Sequence, residues 1–219
     1  MIETVHLGTT RYEETWHRQL AIFEDMKDAK KQGRSIDKEY ILTTQHHPVI
    51  TLGFHADRAN LLVAEQYLKQ RDIDLFRIER GGDITYHGPG QLVVYPLVDL
   101  ERHHLGVKQY VTILEQAVIN VIGRYGIKGE SVEGATGVWI GKGTPVERKI
   151  CAVGVKCSRY VTMHGLALNV NTDLDGFSLI NPCGFKEKGV TSMARELGHE
   201  LDFNKVEEEL SAVLLSLLA

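Results

Sequence analysis

Helical and β-type segments follow one another along this chain in an irregular order, which restricts the folds open to it. Apolar residues at helical spacing mark residues 11–33, 61–70, 107–125 and 204–218. Short β-type runs occupy residues 39–45, 49–53, 75–78, 92–95, 137–140, 149–157 and 165–170. Several strands follow one another without an intervening helix. We therefore predict an α/β (α+β) fold with a mixed β-sheet flanked by helices, not a doubly wound parallel sheet.

The pattern of the last helix predicts both its start and its inner face. Asn204 stands at its predicted start, where an Asn side chain can cap the first turn. Helical spacing then predicts that five apolar side chains face inward: Val206, Leu210, Val213, Leu214 and Leu217.

The composition of the chain excludes several classes of protein. The chain has 219 residues, of which 43% are hydrophobic and 25% charged, as in ordinary folded domains. No segment reads as a linker, so we expect one domain over residues 1–219. A net charge of −4 gives no general attraction for nucleic acid or anionic membranes. With no apolar run of about 20 residues and no secretion leader, we expect a cytoplasmic protein.

Three cysteines, Cys151, Cys157 and Cys183, are too few and too unpaired for a disulfide framework. Cys151 and Cys157 lie six positions apart on the same side of one predicted strand. At about 3.3 Å per residue they stand about 20 Å apart, too far to share a zinc ion. The histidines show no metal-binding spacing such as H-E-x-x-H. We therefore predict no metal site.

Residues 80–91 are rich in glycine and read Arg-Gly-Gly-Asp-Ile-Thr-Tyr-His-Gly-Pro-Gly-Gln. Glycine allows a ligand to approach the backbone closely, but a pair of tight turns between strands explains the glycines equally well. The spacing fits neither of the common phosphate-binding glycine motifs. A loop that only turns does not require Arg80, Tyr86 and His87, and these residues favour a binding role.

Cys183 differs from the other two cysteines because Pro182 and Gly184 flank it. Such a setting can present a thiol at the end of a strand, although an isolated cysteine is more often a small buried residue. A reactive thiolate needs a neighbouring cation. From the residues alone, which cation this is stays open among Arg148, Lys149, Lys156, His87 and His164.

Four blocks of the chain together resemble a known family. They are residues 80–96, which continue the glycine-rich stretch with Leu-Val-Val-Tyr-Pro; 148–155, Arg-Lys-Ile-Cys-Ala-Val-Gly-Val; 164–170, His-Gly-Leu-Ala-Leu-Asn-Val; and 180–184, Ile-Asn-Pro-Cys-Gly. In order and spacing these blocks resemble the lipoyl(octanoyl) transferases of lipoate biosynthesis. The resemblance implies a catalytic domain of the biotin/lipoate protein ligase type, related to class II synthetases.

The same resemblance implies an activity and its partners. The enzyme would move an octanoyl group from octanoyl-acyl carrier protein to a lysine of a lipoyl domain. The acceptors would be the lipoyl domains of 2-oxoacid dehydrogenases and the glycine cleavage H protein. Because a thioester is already activated, the reaction would need neither ATP nor another cofactor.

Matched position by position, the resemblance also implies the site residues. Cys183 would be the nucleophile that forms an acyl-thioester, and Lys149 would lower its pKa. The substrate-binding segments would be Arg80, Gly81, Gly82, Asp83, Ile84, Thr85, Tyr86 and His87, then Ala152, Val153 and Gly154, and finally Gly165, Leu166 and Ala167.

Three other functions remain open at this point. An ATP-dependent lipoate or biotin ligase would share the fold, but His87 is followed by Gly-Pro-Gly and not by Asp, unlike the His-Asp pair typical of those ligases. A thioesterase would pass the acyl group from Cys183 to water. A non-catalytic binding module would not need Cys183.

Overall fold

A computed structural model describes residues 1–181 and 189–218 of the chain. Its helices are α1 (Tyr12–Lys31), α2 (Glu65–Gln70), α3 (Val107–Arg124), α4 (Met193–Leu197) and α5 (Phe203–Leu218), with 3-10 turns at Arg58–Asn60 and Leu174–Leu179. Its strands are β1 (Ile2–Thr10), β2 (Glu39–His46), β3 (Val49–Leu52), β4 (Asp74–Arg77), β5 (Ile84–His87), β6 (Gln91–Leu97), β7 (Gly129–Val132), β8 (Ala135–Ile140), β9 (Arg148–Ser158), β10 (Val161–Asn169) and β11 (Gly189–Val190).

The strands form two sheets. In the larger one the order is β1-β2-β6-β10-β9-β8-β7, and β11 pairs with β9. The β1–β2 and β9–β11 pairs are parallel and the other pairs of this sheet are antiparallel. The smaller sheet has the order β4-β3-β5. The prediction of a mixed sheet flanked by helices is therefore confirmed.

Helices cover both faces of the larger sheet. On one face α3 and α5 pack their apolar stripes, including Leu114, Val118 and Leu210, against the sheet. On the other face α1 contributes Phe23 and Met26 to a second cluster. These five side chains are buried, because packing against the sheet removes their apolar area from water.

Two local predictions are wrong. Residues 61–64 are not helical: Leu61 bridges to Ile180, and the Leu62 N–H donates to the carbonyl of Leu179 at 2.9 Å. Pairing with a distant segment thus overrides the local helical pattern. The last helix begins at Phe203, where an oxygen of Asp202 accepts from the Lys205 N–H at 3.2 Å. Asn204 is therefore not the cap.

The inner face of α5 is also narrower than predicted. Val206, Leu210 and Leu214 are buried, whereas Val213 is half-buried and Leu217 is 37% exposed. Among residues 1–181 and 189–218, none of the helices combines the length and the hydropathy that a membrane span requires.

Strand β5 lies inside the glycine-rich stretch, which the sequence pattern treats as one loop. It pairs antiparallel with β3 from Leu52↔Ile84 to Val49↔His87. Glycines on both sides limit it to four residues, too short for a periodic signal. The strand positions His87 and brings the predicted binding segment into the smaller sheet.

Candidate active site

A cavity of about 460 Å³ lies against the larger sheet on the side of α1 and is bounded by residues of both sheets. Of the predicted site residues, it is lined by Arg80, Gly82, Asp83, Ile84, Thr85, His87, Lys149, Ala152, Val153, Gly154, Gly165, Leu166 and Ala167. Three segments that are far apart in the sequence thus meet around one space.

Two of the predicted site residues, Gly81 and Tyr86, do not line the cavity. The Gly81 N–H donates to the carbonyl of Val155 at 2.9 Å, which ties the glycine-rich loop to β9. Tyr86 packs against Phe177 with ring centroids 5.5 Å apart, in the apolar cluster of the smaller sheet. Cys183 lies outside the described residues, as do Pro182 and Gly184.

Small side chains make room for the cavity. In the pairing of β9 with β10, Ala152 stands opposite Ala167, and Gly154 stands opposite Gly165. An added side-chain carbon at Gly154 would come within 2.8 Å of the Gly81 carbonyl oxygen. The glycine-rich loop therefore rests directly on Gly154 and closes the cavity over this part of β9.

A β-bulge turns Lys149 toward the same space. Val138 pairs with Cys151 and Trp139 pairs with Lys149, so Ile150 is an extra residue in β9. Lys149 and Ala152 are three positions apart, and a regular strand would place them on opposite faces. Because the bulge adds one residue, both side chains line the cavity, while Ile150 and Cys151 are buried in the cluster beneath α3.

Lys149 is half-buried and held by strand β8. Its Nζ donates to the carbonyl of Thr136 at 3.1 Å and lies 4.6 Å from the centroid of the Trp139 ring. The carbonyl oxygen accepts a hydrogen bond from the lysine, and the electron-rich face of the indole ring attracts its positive charge. The site thus presents a positive charge at one end of its small-residue floor.

Arg80 maintains the shape of the glycine-rich loop. It is only 8% exposed, and its Nη2 donates to both the carbonyl and the hydroxyl of Thr51 at 3.0 Å. Its Nη1 donates to the carbonyl of Gly81 at 3.0 Å. These bonds join the loop to β3, so Arg80 has a structural task in addition to any contact with a ligand.

The buried histidines are neutral at pH 7. Burial lowers the pKa of His87 and of His164 to about 3 and that of His46 to about 4. His87 and His164 therefore do not supply the cation that the cysteine requires. Arg148 is already paired, because its Nε donates to Glu196 at 2.7 Å.

Cys151 and Cys157 both lie in β9, as predicted, and both contact the apolar cluster under α3 and α5. Burial raises the pKa of the Cys151 thiol to about 12 and also raises that of Cys157. Neither sulfur therefore holds appreciable thiolate at neutral pH. This environment suits structural residues and not a nucleophile.

Several residues of the cavity were not singled out from the sequence. Tyr12, Tyr95, Trp139 and Asn169 also line it. The sequence held a usable signal for Asn169, because it is the polar residue within the otherwise apolar run 165–170. Tyr12 and Tyr95 carry no such signal, since buried tyrosines are common in ordinary cores.

The family comparison covers most of the chain. Residues 11–215 match the family described as lipoyl protein ligase A/B catalytic domain. The chain belongs to this family. Membership agrees with the resemblance carried by the four sequence blocks.

Curated relatives are close in sequence. One named octanoyltransferase, from Porphyromonas gingivalis, is 53% identical over 207 residues, which are 94% of this chain but 42% of that protein. Another octanoyltransferase, from Parabacteroides distasonis, is 49% identical over 97% of this chain and 96% of its own length. The chain thus spans less than half of the first relative and nearly all of the second.

Solved structures support the fold class. A bipartite lipoate protein ligase from Thermoplasma acidophilum superposes with a TM-score of 0.68 over 99% of this chain and 82% of its own, at 19% identity. The biotin protein ligase of Aquifex aeolicus gives a TM-score of 0.51 over 99% of this chain and 68% of its own, at 13% identity. At such low identity these likenesses establish the fold alone, and they confirm the predicted biotin/lipoate ligase-like, class II synthetase-like architecture.

Proposed function

We propose that this chain is an octanoyltransferase that moves an octanoyl group from octanoyl-acyl carrier protein to a lysine of a lipoyl domain through an acyl-thioester on Cys183. The names of its relatives at about 50% identity support the reaction. The observation that carries the proposal is the bulge that turns Lys149 onto the face of the small-residue floor.

The first step is thioester exchange. The Cys183 thiolate attacks the acyl carbon of the donor, a bond forms between carbon and the Cys183 sulfur, and the bond to the carrier's sulfur breaks. The carrier leaves as a thiolate and takes the proton of the Lys149 ammonium, which leaves Lys149 neutral and able to accept a proton in the second step. The ammonium of Lys149 would favour the thiolate form of Cys183 through its positive charge. No ATP is required because the acyl group is already activated.

The second step is aminolysis. The neutral amine of the acceptor lysine attacks the acyl carbon, the carbon–nitrogen bond forms, and the bond to Cys183 breaks. The amine gives up one proton, which we assign to Lys149 or to a water molecule that it holds. The product is an amide on the lipoyl domain, and Cys183 is free again.

The cavity is suited to an acyl chain. Its volume, about 460 Å³, lies within the range of about 300–1,000 Å³ typical of small-molecule sites. The alanine and glycine pairs of β9 and β10 provide a floor without polar side chains. Burial of the eight-carbon chain there would supply binding energy at about 0.8 kcal/mol per methylene group.

The acceptors would be the lipoyl domains of 2-oxoacid dehydrogenases and the glycine cleavage H protein. The protein would act in the cytoplasm. Residues 1–219 would act as one catalytic domain. Neither a metal nor another cofactor takes part in the two steps.

Intact-mass measurement tests the proposal. On incubation with octanoyl-acyl carrier protein, the chain should gain one octanoyl group, which a lipoyl domain then removes. Cys183→Ala should abolish both the adduct and the transfer, whereas the matched variant Cys157→Ser should retain them. Transfer that requires octanoate and ATP but no carrier protein would indicate a ligase, and rapid loss of the adduct to water would indicate a thioesterase.

A further inference from the structure

A chain of hydrogen bonds joins the backbone at Lys149 to the side chain of His87. The Thr191 N–H donates to the Lys149 carbonyl at 3.0 Å, and the Thr191 carbonyl accepts from Asn169 Nδ2 at 2.9 Å. Asn169 Oδ1 accepts from Gln91 Nε2 at 2.8 Å, and Gln91 Oε1 lies 2.7 Å from His87 Nδ1. Two parts of the cavity wall are therefore linked through three intervening residues.

The direction of every bond in this chain follows from one backbone carbonyl. A carbonyl oxygen only accepts, so Asn169 must turn its amide nitrogen toward Thr191 and its oxygen toward Gln91. Gln91 must then turn its nitrogen toward Asn169, and the same nitrogen also donates to the Tyr86 carbonyl at 3.3 Å. The Gln91 oxygen is left facing His87, and in the neutral ring the proton lies on Nδ1.

Burial makes this arrangement costly to reverse. Gln91 is 1% exposed and Asn169 is 4% exposed, so water cannot replace a lost partner. Rotating the Gln91 amide would place its oxygen against the oxygens of Asn169 and Tyr86. Each buried polar group that loses its hydrogen bond costs free energy, and this cost disfavours the rotated form of the Gln91 amide.

The second ring nitrogen of His87 remains for a ligand. His87 lines the cavity, and among residues 1–181 and 189–218 no hydrogen bond uses its Nε2. Burial is the main reason that the pKa of His87 falls to about 3, and the neighbouring His46 acts in the same direction. The ring is thus neutral, with a lone pair on Nε2 and a proton on Nδ1.

We propose that Thr191, Asn169 and Gln91 hold His87 in the Nδ1–H tautomer so that its Nε2 accepts an N–H of the amine that attacks the acyl group. This rests on the proposed octanoyl transfer. The hydrogen bond orients the amine, and no proton passes to His87. His87 is then a catalytic residue of the second step, while Gln91 and Asn169 are positioning residues.

The second step is the one that needs such an acceptor. The nucleophile of the first step is a thiolate, which has no N–H, whereas the nucleophile of the second step is a primary amine. Loss of the tautomer should therefore slow aminolysis more than formation of the acyl-thioester. An amide N–H of the carrier's prosthetic arm is the other possible donor, and its loss would slow the first step instead.

The test compares Asn169→Leu with Asn169→Asp. Leu offers Gln91 no acceptor, so the Gln91 amide can rotate and donate to Nδ1. Asp keeps an oxygen toward Gln91, and as a buried neutral carboxyl it can donate its O–H to the Thr191 carbonyl. In spectra of protein labelled with ¹⁵N at histidine, Asn169→Leu should shift His87 toward the Nε2–H form, and Asn169→Asp should not. In Asn169→Leu, aminolysis of the preformed octanoyl adduct should fall about tenfold, with adduct formation changed less than about twofold.

Asn171→Leu provides the control for general loss of packing. Asn171 bonds the backbone of Leu201 through both ends of its amide and lies two residues from Asn169. This variant should lower stability and leave the His87 tautomer and the ratio of the two steps unchanged. An unchanged tautomer in Asn169→Leu, or an equal fall in both steps, would overturn the proposal. If the wild-type protein gained no octanoyl group from octanoyl-acyl carrier protein, the proposed octanoyl transfer itself would be refuted.

Discussion

Strands β9 and β10 carry two different kinds of surface on their two faces. The face toward α3 and α5 is packed with large apolar side chains, whereas the face toward the cavity has alanine and glycine at its centre. The packed face holds the side chains of Cys151, Val153, Leu166 and Leu168, although Val153 and Leu166 also border the cavity, and the cavity face includes Ala152, Gly154, Gly165 and Ala167. Alternate residues of the same two strands thus serve stability and binding separately.

The difference explains why an irregular strand is needed at Lys149. Strict alternation would place Lys149 on the packed face, among the buried apolar side chains beneath α3. One extra residue, Ile150, moves the lysine to the cavity face and keeps the residues on both sides of the bulge in their places. The functional face therefore depends on a local exception to the pattern that builds the core.

The largest expected effect comes from removing the charge on the cavity face. Lys149→Met keeps an unbranched chain over the Trp139 ring but removes the ammonium. We expect formation of the octanoyl adduct to slow by about 10²–10⁴-fold, the usual contribution of such a group, with little change in the free energy of unfolding. Intact-mass analysis of quenched reactions measures the rate of adduct formation. A rate near that of the wild-type protein would exclude Lys149 from the mechanism.

The packed face should respond in the opposite way. Leu168→Ala removes a fully buried side chain opposite Cys151. We expect the free energy of unfolding in urea to fall by about 2–5 kcal/mol, because a cavity forms that neighbouring side chains cannot fill. The rate per folded molecule at low temperature should remain near that of wild type. A loss of transfer without a loss of stability would show that the two faces are not independent.

Acid should act through the cavity side of the sheet. His46, His87 and His164 have lower pKa values in the folded chain than the ordinary value of about 6.5, so the unfolded chain binds more protons. Their contribution to stability is complete above about pH 6.5 and is lost as the pH falls to about 4 for His46 and to about 3 for His87 and His164. Each adds a slope of about 1.4 kcal/mol per pH unit in that window.

Urea unfolding at several pH values between about 7 and 4 measures the slope. Carboxylates paired in the fold, such as Glu196, whose pKa the neighbouring Arg148 lowers, contribute in the same direction. The comparison is therefore made with His46→Gln, which keeps a polar side chain near Tyr95 and removes one titrating group. The free energy of unfolding of this variant should depend on pH less steeply, by about 1.4 kcal/mol per pH unit, which corresponds to one proton. An unchanged slope would contradict the prediction.

Much of the fold could be predicted because its long elements are governed by their own periodicity. Helices α1 and α3 and strand β9 appear at nearly the predicted positions, since each has an apolar face that only one arrangement buries. Strand β5 and residues 61–64 could not be predicted, because their backbone hydrogen bonds go to partners far away in the sequence. Such pairings have no local signal.

The site shows the same limit at the level of single residues. Sequence blocks marked Arg80 and Lys149, but no pattern within residues 148–158 reveals the bulge at Ile150, which depends on pairing with β8. Likewise, Gln91 and Asn169 stand in marked segments, while their bond to each other spans 78 positions. The geometry that joins marked residues is a property of the sheet and not of the segments.

The smallest effect is expected from a variant that fills the cavity. It tests whether the small side chains of the cavity face leave room for the acyl chain. Ala152→Leu adds three carbons to a half-buried position beside the cavity. We expect kcat/KM for an octanoyl donor to fall about tenfold, while a butanoyl donor is transferred nearly as well as by the wild-type protein. Stability should change little, because the new side chain enters existing space.

Val138→Leu, which adds one carbon, is the corresponding enlargement on the packed face, where Val138 is fully buried opposite Cys151. Overpacking there should cost about 1–3 kcal/mol of stability and leave the preference between octanoyl and butanoyl donors unchanged. If both variants altered chain-length preference, the acyl chain would have to reach across the sheet. If neither did, the acyl chain would not lie over Ala152, and the small side chains of this face would owe their size to the close approach of the glycine-rich loop.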